Sequence, residues 1–348
     1  MIVGRRFLSV AVAIAAALTI AARADAASPP QPRLVPLLPG AAQNPTPVSP
    51  GASPAPVLPS WPGASFRTVD VPGAFGTLVD AVTNNGTVGG TYYTDQGALS
   101  RGFIEEHHQL TKFDYPGTSG VTSLDGMNSR GVAVGTYVGA GGTEHGWIRS
   151  ADGDFSALND PSAGHGDEFG TFPEGINGHG VIVGFYVDQE NLAHGFLYNP
   201  ASGFTTIDVP AAGTEPGDGT VLVSINNSGV IVGTYVDAAG VYHGVVDSGG
   251  SFVDFDAPGA GIEANQGTIA YGITRNGLIS GWTLSDSNEI TGWLLADWQF
   301  SALNDPLGAT GPNLGSALYG INGQGSEAGG EYWDTAGRFH GYVAKLAR

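Results

Sequence analysis

Residues Gly175-Ile176-Asn177-Gly178-His179-Gly180-Val181-Ile182-Val183-Gly184-Phe185-Tyr186 are followed by His194-Gly195-Phe196-Leu197-Tyr198 and then by Phe204-Thr205-Thr206-Ile207-Asp208-Val209-Pro210. This unit recurs six times from Phe66 onward, and several marks stay in step. The first Gly after the turn falls at Gly86, Gly131, Gly180, Gly229, Gly277 and Gly325, which sets spacings of 45 to 49 residues. A second Gly follows four positions later in every unit, and Thr83, Asn128, Asn177, Asn226, Thr274 and Asn322 stand three positions before the first. A Pro closes the unit at Pro72, Pro116, Pro161, Pro210, Pro258 and Pro306. Repeats of this length are single supersecondary units that cannot bury their own apolar face and must stack on their neighbours.

Within a unit, short β-branched and aromatic runs are cut by Gly, Asn, Asp and Pro, so the local chemistry reads as four strands. In the fourth unit Leu222 to Ile225 is a strand, Asn226-Asn227-Ser228-Gly229 supplies a tight turn, and Val230 to Val236 returns. Tyr242 to Val246 is the third strand. Phe204 to Val209, or Phe252 to Ala257 one unit later, is the fourth, stopped by a Pro that lacks the N–H a ladder needs. Outside the first thirty residues no window has a helical period, so the domain at 66–348 is expected to be all-β.

Four antiparallel strands per unit, repeated six times, predict a six-bladed β-propeller, with an open β-solenoid as the competing architecture. The phase of the chain predicts closure. Phe66 to Pro72 is a fourth-type strand with no preceding three, and Gly341 to Ala344 is a third-type strand with no following fourth. Pairing the two would complete the last blade and remove an exposed edge. The pattern from Gly175 to Tyr198 resembles the bacterial "extracellular repeat, HAF family", here with His-Gly-Phe or His-Gly-Trp in place of His-Ala-Phe. The resemblance covers 66–348. It implies secretion and a propeller-like repeat fold, and carries no catalytic residues with it.

Residues 1–26 have the three parts of a secretory signal: Arg5 and Arg6, an apolar run from Phe7 to Ala22, and the small-residue pattern Ala24-Asp25-Ala26. A secreted or periplasmic protein is expected. Residues 27–65 are rich in Pro, Ala and Ser and read as an extended linker. With no Cys, neither a disulfide nor a lipidated cysteine is available. No further apolar run approaches the ~20 residues of a spanning helix. The first 65 residues hold four Arg and one Asp, which leaves 9 basic against 31 acidic side chains in the repeats, a net charge of −22. That surface repels phosphate backbones and argues against nucleic acid as a partner.

The repeated His145, His194, His243 and His340, replaced by Arg101 and Thr291 in the other units, fall on the third strand, too far from the axis to share a metal. They are expected to bond within the unit. Asn128, Asn177, Asn226 and Asn322 read as turn residues. So do Asp70, Asp114, Asn159, Asp208, Asp256 and Asn304, each two positions before a Pro, with the side chain accepting from a nearby backbone N–H.

Ligand chemistry is expected where the units differ. The loops joining one fourth strand to the next first strand carry His165, Asp167, Glu168, Glu174, Glu215, Asp218 and Glu263. Such carboxylates would suit weak Ca²⁺ binding at most, and no other cofactor is expected. No nucleophile elbow, zinc helix, P-loop or dinucleotide motif is present. The function expected from this is a monomeric, non-catalytic binding or scaffold module at the cell envelope or outside the cell, taking a glycan, peptide or envelope polymer. The competing expectation is a carbohydrate-active hydrolase or lyase in which Asp167 or Glu168 faces Glu215 or Asp218 across the channel mouth.

Overall fold

The computed structural model describes residues 58–94, 99–118, 120–139 and 141–347. The signal read at 1–26 and most of the linker lie outside them. Every regular element among the described residues is a strand. The strands form six antiparallel groups of four, in which each strand pairs with the next in sequence. The first is β2 (Gly76–Val82), β3 (Val88–Thr94), β4 (Leu99–Glu106) and β5 (Gln109–Phe113). The second is β6 (Gly126–Met127), β7 (Ala133–Val138), β8 (Glu144–Arg149) and β9 (Phe155–Leu158). The third is β10 (Gly170–Ile176), β11 (Ile182–Val187), β12 (Ala193–Asn199) and β13 (Gly203–Thr206). The fourth is β14 (Gly219–Ile225), β15 (Val230–Val236), β16 (Tyr242–Ser248) and β17 (Phe252–Phe255). The fifth is β18 (Gly267–Ile273), β19 (Ile279–Leu284), β20 (Ile290–Ala296) and β21 (Gln299–Ala302). In the sixth, β22 (Gly315–Ile321), β23 (Glu327–Trp333) and β24 (Phe339–Lys345) are joined by β1 (Ser65–Val69) from the other end of the chain.

That last pairing runs antiparallel from Ser65↔Lys345 to Val69↔Gly341, the union of chain ends expected from the phase of the repeat. Phe66 packs on Tyr342 with ring centroids 5.7 Å apart. Adjacent groups touch through short parallel bridges between a third strand and the next first strand, such as Ala193↔Gly219 and Tyr242↔Gly267. At this crossing a side chain on Gly219 would sit 2.0 Å from the Ala193 carbonyl oxygen, so only glycine fits. These bridges link twenty strands into one hydrogen-bonded sheet and leave β2–β5 as a separate sheet of four.

Two boundaries differ from the sequence reading. The first strand of the fourth group starts at Gly219 rather than Leu222, and it carries a bulge between Leu222 and Ser224. The fourth strands are shorter: β13 stops at Thr206, after which Val209 N–H turns away to donate to Thr220 Oγ1 at 2.9 Å. The end of the Pro-rich stretch is also not a free spacer. Trp61 N–H donates to the Ala302 carbonyl at 2.8 Å, Ala302 N–H donates to the Pro59 carbonyl at 2.8 Å, and Leu58, Trp61 and Ala64 pack on neighbouring apolar clusters.

Apolar clusters fill the spaces between groups. One joins Val134 and Leu158 to Ile182, Tyr186 and Phe196, and another joins Val69 and Val343 to Val79, Val88 and Phe103. The largest draws on first, second and third strands of five groups: Leu78, Phe172, Val223, Tyr242, Ile269, Trp282, Ile290, Tyr319 and Phe339 are among its members.

Candidate functional site: an axial cavity

The turns between first and second strands hold the site's rim. Asn177 Oδ1 accepts from His179 N–H at 2.9 Å and Val181 N–H at 3.1 Å, which closes its own turn. Its Nδ2 donates to the Asn226 carbonyl of the next group at 3.2 Å. Asn128 reaches the Asn177 carbonyl and Asn226 the Thr274 carbonyl in the same way, at 3.0 and 3.1 Å. The repeated Asn therefore does two jobs, one within its turn and one between units. In the remaining units other groups make the link: Arg275 N–H to the Gly323 carbonyl at 3.1 Å, Gln324 N–H to Asn84 Oδ1 at 3.0 Å, and Asn84 N–H to Ser129 Oγ at 3.2 Å. Each of the six turns thus bonds to the turns on both sides. Asn322 differs, spending its side chain within its own turn, on Ser326 and the Glu327 N–H.

Behind this rim each unit places one residue, in its first strand or, for Asp125, just before it, at the same point of the repeat, three positions before the Asn or Thr mark: Asp80, Asp125, Glu174, Val223, Tyr271 and Tyr319. In β2, β10, β14 and β18 the ladder skips this residue, with register shifts between Val79 and Ala81, Pro173 and Gly175, Leu222 and Ser224, and Ala270 and Gly272. A bulge re-aims the skipped side chain, here into the interior. All six are buried. Asp80, Asp125, Glu174, Val223 and Tyr271 line a cavity of about 250 Å³ whose mouth is formed by Asn84, Asn128, Arg130, Asn227, Arg275 and Gln324.

The floor is acidic and sparsely hydrogen-bonded. Tyr271 hydroxyl donates to Asp80 Oδ1 at 3.4 Å, and Ser123 Oγ donates to Asp125 Oδ2 at 2.8 Å. Asp80 Oδ2 and Asp125 Oδ1 have no hydrogen-bond partner. Glu331 lies deeper and accepts from Tyr319 hydroxyl at 2.8 Å and Trp333 Nε1 at 3.3 Å. Burial pushes the Asp80 carboxyl well above the ordinary range, and the Asp125 and Glu331 charges add to it against bonds from Tyr271 and the Thr91 backbone. Burial also lifts Asp125 and Glu331 to about 7 each, although both accept hydrogen bonds that favour the ion. Glu144, at the start of β8, is raised to about 8 by burial, then by Asp125 and Glu168.

On the far side of this floor lies the largest apolar cluster, with Tyr242, Ile290 and Phe339 from the opposite ends of the third strands. It separates the acidic floor from the loops that join consecutive units. Those loops carry most of the residues singled out in the sequence. His165, Asp167, Glu168, Glu215 and Glu263 are exposed on them. Asp218 is 8% exposed and accepts from Glu215 N–H at 3.1 Å, a bond within its own turn. Glu174 is not on a loop. It sits in β10, is 2% exposed and belongs to the cavity floor. Among the described residues no group of three or more His, Asp or Glu is placed to hold a metal ion.

The repeated His bond within their units, as expected, and each does so through neighbouring side chains. His194 Nδ1 meets Asp208 Oδ2 at 2.9 Å and Nε2 meets Asp188 Oδ2 at 3.3 Å. His243 bridges Asp256 and Asp237, and His340 bridges Asp70 and Asp334, in the same way. His145 keeps only the first contact, with Asn159 at 3.2 Å. Each imidazole also stacks on a Tyr, as in Tyr186–His194 with centroids 4.9 Å apart. The Asp or Asn before each Pro was expected to cap a turn; in five units it takes up the third-strand side chain instead. In the first unit Arg101 replaces His and pairs with Asp114 at 3.2 Å. In the fifth, where Thr291 stands, Asn304 Oδ1 accepts from Gly292 N–H at 2.8 Å.

The floor residues Asp80, Asp125 and Tyr271 were missed by sequence reasoning. Their signal was a single register position that changes chemistry from unit to unit while its neighbours keep step.

No protein-family model and no curated protein matches the chain. Among solved structures it is similar to AofleA from Arthrobotrys oligospora, at 11% identity and a TM-score of 0.45 over 82% of this chain and 84% of that one. It is also similar to a mutant Aleuria aurantia lectin in complex with alpha-methyl-L-fucoside, at 10% identity and a TM-score of 0.46 over 80% and 93% of the two chains. Likeness this slight assigns the chain no ligand.

Proposed function

We propose that the chain is a secreted or periplasmic six-bladed β-propeller, closed by β1 on β24, that acts as a monomeric, non-catalytic binding module with its ligand site in the axial cavity. The closed ring is supported by the turn-to-turn hydrogen bonds, which pass through all six units and return from Gln324 to Asn84. Export is supported by the leader pattern at 1–26 and by the resemblance to the extracellular HAF repeats. One observation carries the choice of site: unpartnered carboxyl oxygens of Asp80 and Asp125 line a cavity with a polar mouth. Convergent polar groups in a concave site are the usual form of a small-molecule pocket.

The expectation of a ligand on the long-loop face gains no such support, because Asp218 is committed to its own turn and the apolar cluster bars that face from the axial acids. The hydrolase or lyase reading relied on the same loop carboxylates and is not favoured.

A thermal-shift screen of small polar molecules on the purified protein, run beside an Asp80→Asn/Asp125→Asn double variant and a Glu263→Gln variant, tests the site. Ligands that raise the melting temperature of the wild type and of Glu263→Gln, but not of the double variant, are expected. A ligand whose effect survives in the double variant and is lost with Glu263→Gln would move the site to the other face.

A further inference from the structure

We propose that the axial cavity is built for an organic ammonium group, which sits between the Asp80 and Asp125 carboxyls with the Tyr271 ring beside it. This rests on the cavity being the ligand site and names the chemistry it selects. Three observations lead there. Asp80 and Asp125 are 2% and 1% exposed, and each keeps one oxygen without a hydrogen-bond partner. In the ionised form such an oxygen can only accept, so its missing partner is a donor. The basic residues lining the cavity are Arg130 and Arg275, both exposed on the rim turns, so none neutralises the floor. Among the described residues no group of three or more His, Asp or Glu is placed to hold a metal ion, and the N–H donors of an organic cation match the two acceptor oxygens directly.

Charge decides between an ammonium and a neutral polyol. Once Asp125 ionises, above about pH 7, hydroxyl groups would satisfy the two oxygens but leave a buried carboxylate uncompensated, a state that costs several kcal/mol per ion. An ammonium supplies N–H donors and the opposite charge together, and charge-assisted bonds of this kind are about twice as strong as neutral ones. Tyr271 adds an aromatic surface against which a cation is attracted.

Proton balance follows. The groups facing the floor are Glu174, Glu331, Glu144, Tyr93, Tyr271 and Tyr319, none of them cationic, and burial holds Asp125 protonated up to about 7. An arriving ammonium displaces that proton to the buffer. The carboxyl O–H bond breaks, its electron pair stays on oxygen, and N–H···O bonds replace it. Binding should tighten as pH rises from 6 to 8.

Isothermal titration calorimetry with glucosamine and glucose provides the test, since the two share a ring and differ by an ammonium in place of a hydroxyl. 1,4-Diaminobutane and Ca²⁺ alone complete the panel, at pH 6 and 8 and in two buffers of different ionisation enthalpy. The expected result is that an amine binds at least about tenfold more tightly than glucose, a difference of roughly 1.4 kcal/mol. It should also bind more tightly at pH 8, with proton release, and lose about tenfold in Asp125→Asn and in Asp80→Asn. Both variants remove buried charge without changing shape, so neither should melt below the wild type; Glu263→Gln should bind normally. Glucose binding as well as glucosamine, with both lost in the variants, would overturn the ammonium and keep the cavity as the site. Ca²⁺ binding that the variants abolish would overturn the ammonium in favour of a metal. Amine binding untouched by either variant, or no binding by any member, would overturn the ammonium and the cavity together.

Discussion

Position decides chemistry at the level of the single residue. The bulged place in the first strand reads Asp, Asp, Glu, Val, Tyr, Tyr through the six units, while the Gly and Asn around it barely change. Repetition builds the frame, and this one place varies within it. Sequence reasoning sought function in the variable loops because loop length varies visibly, whereas a change of side chain inside a strand has no mark until the bulge aims it inward. A second residue shows the opposite case. Glu168 has φ 71°, at a turn place occupied by Gly217, Asn265 and Asn313 in other units, all at positive φ. A Glu there carries backbone strain that Gly avoids, and left-handed geometry costs a non-Gly residue about 1–2 kcal/mol. Glu168→Gly should therefore stabilise the protein by roughly 0.5–1 kcal/mol, after the entropy that Gly adds to the unfolded chain is deducted. Urea denaturation would register this as a higher midpoint with an unchanged slope; a lower midpoint would mean that the Glu168 side chain contributes more than its backbone costs.

Strands and turns were the most legible level. The run from Val230 to Val236 was read with its observed ends because β-branched residues fill it and turns flank it. Gly219 was missed as the start of a strand because glycine weighs against strand in any local reading, although the crossing with Ala193 demands it. The His clip was half legible: its presence in four units pointed to an intra-unit bond, but the partner lay 13 or 14 residues away and was taken for a turn cap. In the sixth unit the clip spans the whole chain, since His340 holds Asp70 just beyond β1. His340→Ala should cost about 1 kcal/mol, the usual worth of such a bond. The loss should be local, appearing as faster hydrogen exchange at the Ser65–Val69 amides while the β14–β16 amides stay protected. Uniform acceleration, or none, would dissociate the clip from the pairing of the chain ends.

Taken as a whole, the molecule leans toward acid. Burial works against a charged His194, His243 or His340, yet their Asp partners outweigh it and raise all three above 6.5. That stabilisation is complete below pH 6.5 and fades as pH climbs through the raised values. Asp125 and Glu331 act in the same direction: their contribution is full below the unfolded values of 3.8 and 4.5 and is lost as pH rises through about 7. Asp188 and Asp334 oppose them. Burial resists ionisation of Asp188, but bonds from Leu192 N–H and His194 lower it, and bonds from Arg338 N–H and His340 lower Asp334; both lose their contribution as pH falls through these depressed values. Melting temperature should thus peak at about pH 4, where Asp188 and Asp334 are ionised and Asp125 and Glu331 are still protonated in both states, and decline toward pH 9, with a shallower decline in Asp125→Asn. A peak at pH 8 in the wild type would contradict the sum.

The aromatic and aliphatic side chains that cork the axis make the cavity a blind alley. A guest must leave by the mouth it entered, past Asn84, Asn227 and Arg275, so residence times answer to those turns alone.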